Sequence, residues 1–186
     1  MKVHILYIPG LGDNYDWFRT FSLRGWRMYG VVPVFVPITW SDKGTFESKL
    51  ALVRAAVQAT PKSAQVVLIG ESAGATLALH VANSSSRVKR VITLCGVASR
   101  HAPISATLRQ SVPALHKAVS SLPTSLTEVD THSIRAWYDP VVNNRHSVAS
   151  GAQVHTVPLI GHLFTIGVCL TLLAPYLVAI AKSNKK

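Results

Sequence analysis

Acidic residues are scarce in this sequence. Eight Asp and Glu stand against 19 Lys and Arg, and the formal net charge is +11 over 186 residues. An excess of that size attracts anions: nucleic acid, anionic lipid or an acidic substrate. A second lack argues against nucleic acid, because no Lys/Arg-rich run is interleaved with aromatics and the usual nucleic-acid-binding signatures are missing. The charge then reads first as a basic surface with no dedicated partner. Cysteine is scarcer still. Cys95 and Cys169 have neither CxxC spacing nor a neighbouring His pair, which excludes the common zinc arrangements. No metal or cofactor is implied. Both cysteines lie in apolar stretches and read as buried free thiols of a reducing, cytoplasmic compartment. Charged residues make up only 15% of the chain and hydrophobic ones 48%, which excludes a disordered chain and supplies a sizeable core. The length favours one domain over 1–186. The opening MKVHILYIPG has too short an apolar run for a signal peptide and no small-residue cleavage site, so it reads as a first core strand.

One stretch has no charge at all. Leu163 to Ala181, LFTIGVCLTLLAPYLVAIA, is followed by the basic tail KSNKK. Its length is marginal for a membrane span, and the tail resembles a cytoplasmic flank. Pro175 interrupts it and His162 stands at its edge, so an ordinary terminal core helix is the expectation. A spanning anchor and a peripheral membrane contact are the alternatives.

The chain contains no internal repeat, low-complexity tract or linker. β-branched and apolar runs at Val3–Ile8, Val31–Ile38, Val66–Ile69, Val88–Leu94, Ser133–Tyr138 and Gln153–Val157 alternate with helical patterns. Pro33 and Pro37 suit an edge strand. Helices are expected from about Tyr15 to Tyr29, weakened by Gly25; through Phe46, Leu50, Val53 and Val57, closed by Pro61; and through Ala75, Ala78, Leu79 and Ala82. This alternation predicts an α/β fold of about six mostly parallel strands with helices on both faces. The nearly all-apolar third and fourth strands fit burial on both sides. In such sheets ligands bind beyond the carboxyl ends of the strands.

The third strand runs into GESAG, a G-x-S-x-G centred on Ser72. The surrounding VVLIGESAGATLAL passes there from strand to small-residue helix. A serine on so tight a turn projects its hydroxyl, and Gly70 and Gly74 are read as making room for it. The N-terminus of the following helix offers free N–H groups and a positive dipole end to a developing oxyanion.

At these residues the chain resembles the α/β-hydrolase superfamily, and the resemblance spans nearly the whole sequence. It implies a serine hydrolase that cleaves a carboxylic ester or related acyl bond, without a metal. In that family the acid and then the histidine follow the serine. Asp139 of IRAWYDPVV and His162 of VPLIGHLF match those positions. The resemblance makes Ser72 the nucleophile, His162 its base and Asp139 the group orienting the imidazole. Asp130 is the fallback acid, although it comes early. The seven other histidines read as structural or solvated.

The oxyanion hole is expected from the backbone N–H of Ala73 and of Leu11, with Gly10 and Gly12 letting the loop turn. The family often has His-Gly in that loop; this chain has Pro9-Gly10, and a plain turn capped by Asp13 or Asn14 is the alternative. Glu71 is assigned a structural role. Residues 97–131 form at most a small helical lid. The expected partner is a small-molecule ester. A membrane-associated lipase or thioesterase, or a hydrolase-fold protein that binds without turnover, are the rival readings. Oligomeric state is not readable.

Overall fold

A computed structural model describes residues 1–124 and 129–183. Six strands form one sheet: β1 (Val3–Ile8), β2 (Val32–Phe35), β3 (Gln65–Glu71), β4 (Val88–Leu94), β5 (Asp130–Tyr138) and β6 (Gln153–Ile160). Their order is β2-β1-β3-β4-β5-β6, and every pairing is parallel. Parallel pairing needs crossovers, and these carry the helices α1 (Asp16–Gly25), α2 (Phe46–Ala59), α3 (Gly74–Ser84), α4 (Ala106–Ser111) and α5 (Pro113–Ser120), while α6 (His162–Leu170) and α7 (Ala174–Lys182) follow β6.

The two faces of the sheet bury separate cores. Leu6, Leu68 and Val91 point one way, toward Leu50 and Val53 of α2, Leu77 and Val81 of α3 and Leu115 of α5. Ile5, Tyr7, Val67, Ile69 and Ile92 point the other way, toward Leu23 of α1, Trp26 just after it, and Ile166, Leu177 and Val178 of the terminal helices. The residues alternate because successive side chains of a strand leave on opposite faces. Both faces are covered, so the middle of β3 is apolar throughout, as the sequence suggested, whereas β4 carries Lys89, Arg90 and Thr93 among its apolar residues.

Several boundaries differ from the sequence reading, each for a physical reason. The second strand is only Val32–Phe35, although Val36 still donates to the Tyr7 carbonyl. It is an edge strand, the position Pro33 suits. β6 is longer than expected and passes through Pro158, tolerated because β6 is the other edge and its pairing shifts register there. The helix expected to Tyr29 is α-helical only to Gly25 and tightens into a 3-10 turn at Trp26–Tyr29. The charge-free terminal stretch is two helices bent by 70°, and no single helix among the described residues is long and apolar enough to cross a membrane. Pro175, with no N–H to donate, fits the first turn of a new helix and not the middle of an old one. Within 97–131 the chain forms α4 and α5, and α5 packs on α2 and α3.

β1 and β3 are neighbours that send their chains in opposite directions, β1 toward β2 and β3 toward β4. The crevice between their carboxyl ends is the topological switch point, where ligands of open α/β sheets bind.

Candidate functional site

Ser72 stands at that switch point with φ of 47°, a left-handed value rare for a residue with a Cβ. Its backbone is clamped from β4: Ser72 N–H donates to the Leu94 carbonyl at 3.0 Å, and Val97 N–H donates to the Ser72 carbonyl at 3.0 Å. Cys95, in between, is also left-handed, with φ of 44°. Two strained turns thus lock each other in place, and the hydroxyl is held out beyond the sheet.

The glycines act differently from the simplest reading. A Cβ on Gly10 would lie 2.6 Å from Ser72 Cβ, so Gly10, across the crevice on the β1 loop, makes room for the serine. A Cβ on Gly70 would meet Ala75 Cα at 2.5 Å, and one on Gly74 would meet the Ile8 carbonyl oxygen at 2.3 Å. These two let α3 start directly against the sheet. Gly12 takes φ of 90° and does turn the β1 loop, whereas Gly10 has no left-handed φ.

Ser72 is joined to two other predicted residues. His162 Nε2 lies 2.9 Å from Ser72 Oγ, and His162 Nδ1 lies 2.7 Å from Asp139 Oδ2. Asp139 follows β5 and His162 opens α6 after β6, so three strand ends converge. Asp139 Oδ1 also accepts from the N–H groups of Val141 and Val142, at 2.8 and 2.9 Å. Burial alone would raise this carboxyl, but the donors from His162, Val142 and Val141 outweigh it and hold Asp139 below the ordinary carboxylate range. A hydroxyl bonded to an imidazole, itself bonded to a carboxylate, can give up its proton to the ring while the carboxylate steadies the charge.

Beside Ser72 is a cleft of about 320 Å³, lined by Leu11, Ala73, Val97, Ile104, Leu108 and Val141 among others. Among the described residues, neither the Leu11 N–H nor the Ala73 N–H donates to a protein acceptor. Asp13 does not cap the next helix. It accepts instead from the backbone N–H groups of Trp40 and Ser41, tying the β1 loop to the segment after β2. The fallback acid Asp130 sits at the opposite end of β5, bound to Arg90. Cys95 Sγ, Asp139 and His162 place ligand atoms within 4.8 Å of one another. Burial pushes the Cys95 thiol up, so it stays protonated, and His162 and Asp139 are already bound to each other.

The sequence reading missed what lies beneath the serine. Glu71, 1% exposed, accepts from the Tyr7 hydroxyl and from Arg19 Nε at 2.8 Å. Arg19 also donates to the carbonyls of Gly12 and Leu11, at 2.8 and 3.1 Å. One buried guanidinium therefore joins the residue before Ser72 to the loop that carries Leu11. Burial raises the Tyr7 hydroxyl first, and the neighbouring Glu71 charge raises it further, so it remains a donor.

No protein-family model matches the sequence, and no curated protein matches it either. Solved structures do. A metagenomic carboxyl esterase is similar over 96% of this chain and 74% of its own, with TM-score 0.71 and 15% identity. A pyrethroid hydrolase from Sphingobium faniae JZ-2 is similar over 98% of both chains, with TM-score 0.70 and 16% identity. The ydeN gene product from B. subtilis covers 98% of this chain and 99% of its own, with TM-score 0.70 and 15% identity. The fold is that of the α/β-hydrolases.

Identity this low establishes the fold and leaves the chemistry to this chain's own side chains. Within the α/β-hydrolase frame, the strand ends that carry Ser72, Asp139 and His162 are β3, β5 and β6. Of the other histidines, His80 meets the Ala118 carbonyl, and His132 and His155 face each other across β5 and β6. All three lie apart from Ser72. The missed Arg19 had no sequence signal, because an arginine in a helix reads as solvent-facing until its partner is known.

Proposed function

We propose that the protein hydrolyses carboxylic esters through an acyl-enzyme on Ser72. The observation that carries this reading is the hydrogen-bonded row Ser72–His162–Asp139, at 2.9 and 2.7 Å, on a strained turn at the switch point. His162 takes the Ser72 proton as the hydroxyl oxygen attacks the acyl carbon, then delivers it to the departing alcohol oxygen. Asp139 holds Nδ1 protonated and steadies the imidazolium. The N–H groups of Leu11 and Ala73 receive the oxyanion. Water, deprotonated by His162, then attacks the acyl carbon; the bond to Ser72 Oγ breaks, the imidazolium returns its proton to that oxygen, and the acid leaves. The cleft beside Ser72 is mostly apolar and modest in volume, which favours a compact apolar acyl group. Ile104, Leu108 and Leu115, from the described segment after β4, wall the cleft.

Covalent labelling with a fluorophosphonate tests this. The expected outcome is labelling of the wild type, none of Ser72→Ala, and at least a hundredfold slower labelling of His162→Ala, with all three folded by circular dichroism. A folded wild type that does not label refutes the reading and leaves a hydrolase-fold protein that binds without turnover.

A further inference from the structure

Two histidines that the Ser72 row does not use meet on neighbouring strands. His132 lies near the start of β5 and His155 near the start of β6. The parallel register sets His155 beside Ile134, so His132 is its diagonal neighbour on the face that α6 and α7 cover. The rings meet nitrogen to nitrogen, with His132 Nδ1 3.0 Å from His155 Nε2. Each ring also has a partner on its far side. Asp130 Oδ1 stands 3.3 Å from His132 Nε2, and the Tyr176 hydroxyl of α7 lies 2.7 Å from His155 Nδ1. Asp130 is fixed in turn, because its other oxygen accepts from Arg90 Nε at 2.6 Å. Arg90 spends the rest of its guanidinium on Asp130 and on the Ile180 carbonyl, so its charge is already paired.

As it stands this row is incompletely satisfied. The Asp130 contact is too poorly aligned to be a hydrogen bond, and His132 Nε2 is buried with no other partner. A buried polar atom left without a bond calls for an explanation. A carboxylate beside Nε2 keeps the proton of neutral His132 there, so His132 Nδ1 accepts and His155 Nε2–H fills the gap. A metal ion would use both near nitrogens at once. Two imidazole nitrogens, each about 2.0–2.1 Å from one ion, stand about 3 Å apart, which is the spacing already present. A small turn of the half-buried His155 ring aims both lone pairs at that ion. The gap proton moves to His155 Nδ1, where the Tyr176 oxygen accepts it, and none is released. An ion on His132 Nδ1 makes the Nε2–H more acidic and draws it to Asp130. A carboxylate or hydroxyl on the far nitrogen is what orients histidine ligands and fixes their tautomer. Burial is the first cause that lowers both imidazoles, so both are neutral and able to ligate near pH 7. Tyr176 is 40% exposed, which leaves an entry path and room for water ligands.

We propose that His132 and His155 bind a divalent transition-metal ion, with Asp130 and Tyr176 orienting the two rings, and that the ion clamps the edge strand β6 to β5. Two imidazoles and water suit zinc, copper or nickel; calcium and magnesium prefer oxygen ligands. The site stands at the opposite end of β6 from His162 and does not depend on the esterase reading.

The experiment is calorimetric titration of the tag-free protein with Zn²⁺ at pH 7.5, with pulsed electron paramagnetic resonance on the Cu²⁺ form. The proteins compared are wild type, His155→Asn, His132→Asn, Tyr176→Phe and His162→Ala, each checked for folding by circular dichroism. His155 is half-buried on an edge strand, so its variant keeps the test alive if the buried His132→Asn does not fold. The wild type is expected to bind one Zn²⁺ per chain, and its Cu²⁺ form to show two imidazole ligands. His155→Asn is expected to bind on the order of a hundredfold more weakly, and Tyr176→Phe on the order of tenfold more weakly. His162→Ala should bind as the wild type does. Zn²⁺ should raise the melting temperature of wild type and of His162→Ala, and leave that of His155→Asn unmoved. Three results overturn the proposal: no Zn²⁺ binding by the wild type; binding that His155→Asn leaves intact, which places the ion on other histidines; or binding lost in folded His162→Ala, which places it on the Ser72 row.

Discussion

Arg19 is a positioning residue that touches no reacting atom. Its guanidinium holds the carbonyls of Leu11 and Gly12 and the carboxylate of Glu71 at once. Removing it frees the β1 loop and leaves Glu71 buried without its cation, at a cost of roughly 3–5 kcal/mol. Arg19→Met is therefore expected to unfold at lower temperature. On the esterase reading, its kcat falls roughly tenfold to a hundredfold with KM little changed, because the Leu11 N–H is aimed only at the oxyanion. Arg19→Lys returns the charge but not the fork, so it should recover stability more than kcat. Steady-state kinetics beside thermal melts would separate the two. A purely structural role would move stability and leave the kcat and KM of the folded fraction as they were.

At the scale of elements, the strand–turn–helix around Ser72 is the tightest joint. Gly74→Ala drives a methyl into the Ile8 and Pro9 carbonyls, at 2.3 and 2.5 Å. The expected loss is roughly 3 kcal/mol or more in chemical denaturation, far above an ordinary Gly→Ala change in a helix. Gly25→Ala, where an added Cβ meets nothing, is the control and should be neutral or mildly stabilising.

This joint was also the most legible part of the sequence. Its signals are local: an apolar run, two glycines around a serine, then small residues with helical spacing. Asp139 and His162 were legible for the same reason, each lying just past a strand. What is assembled from afar was not. Arg19 reads as surface until Glu71, 52 residues on, is placed beneath it. Gly96 gave no hint of its role, since its need to be small comes from Ala75 of a different element. The break in the terminal stretch was visible as Pro175, but the 70° bend depends on the core that both halves pack against.

For the whole molecule, acid is the revealing variable. Asp139 and Asp130 are both desolvated, which raises them, yet the donors from His162 and from Arg90 bring each below its ordinary value. Carboxyls depressed in the folded state stabilise it fully above the unfolded value of about 4, and the stabilisation is lost as pH falls below that through the lower folded values. Unfolding temperature should therefore drop steeply on the acid side. Asp130→Asn should flatten that limb while leaving Ser72 labelling intact; Asp139→Asn should flatten it and abolish rapid labelling.

The sheet ends in two strands that each contain a proline, Pro33 in β2 and Pro158 in β6. An imino acid offers no N–H to an incoming strand, so neither border is a good template for polymer growth. A chain this apolar and this basic is thereby guarded against fibre-like stacking at its margins.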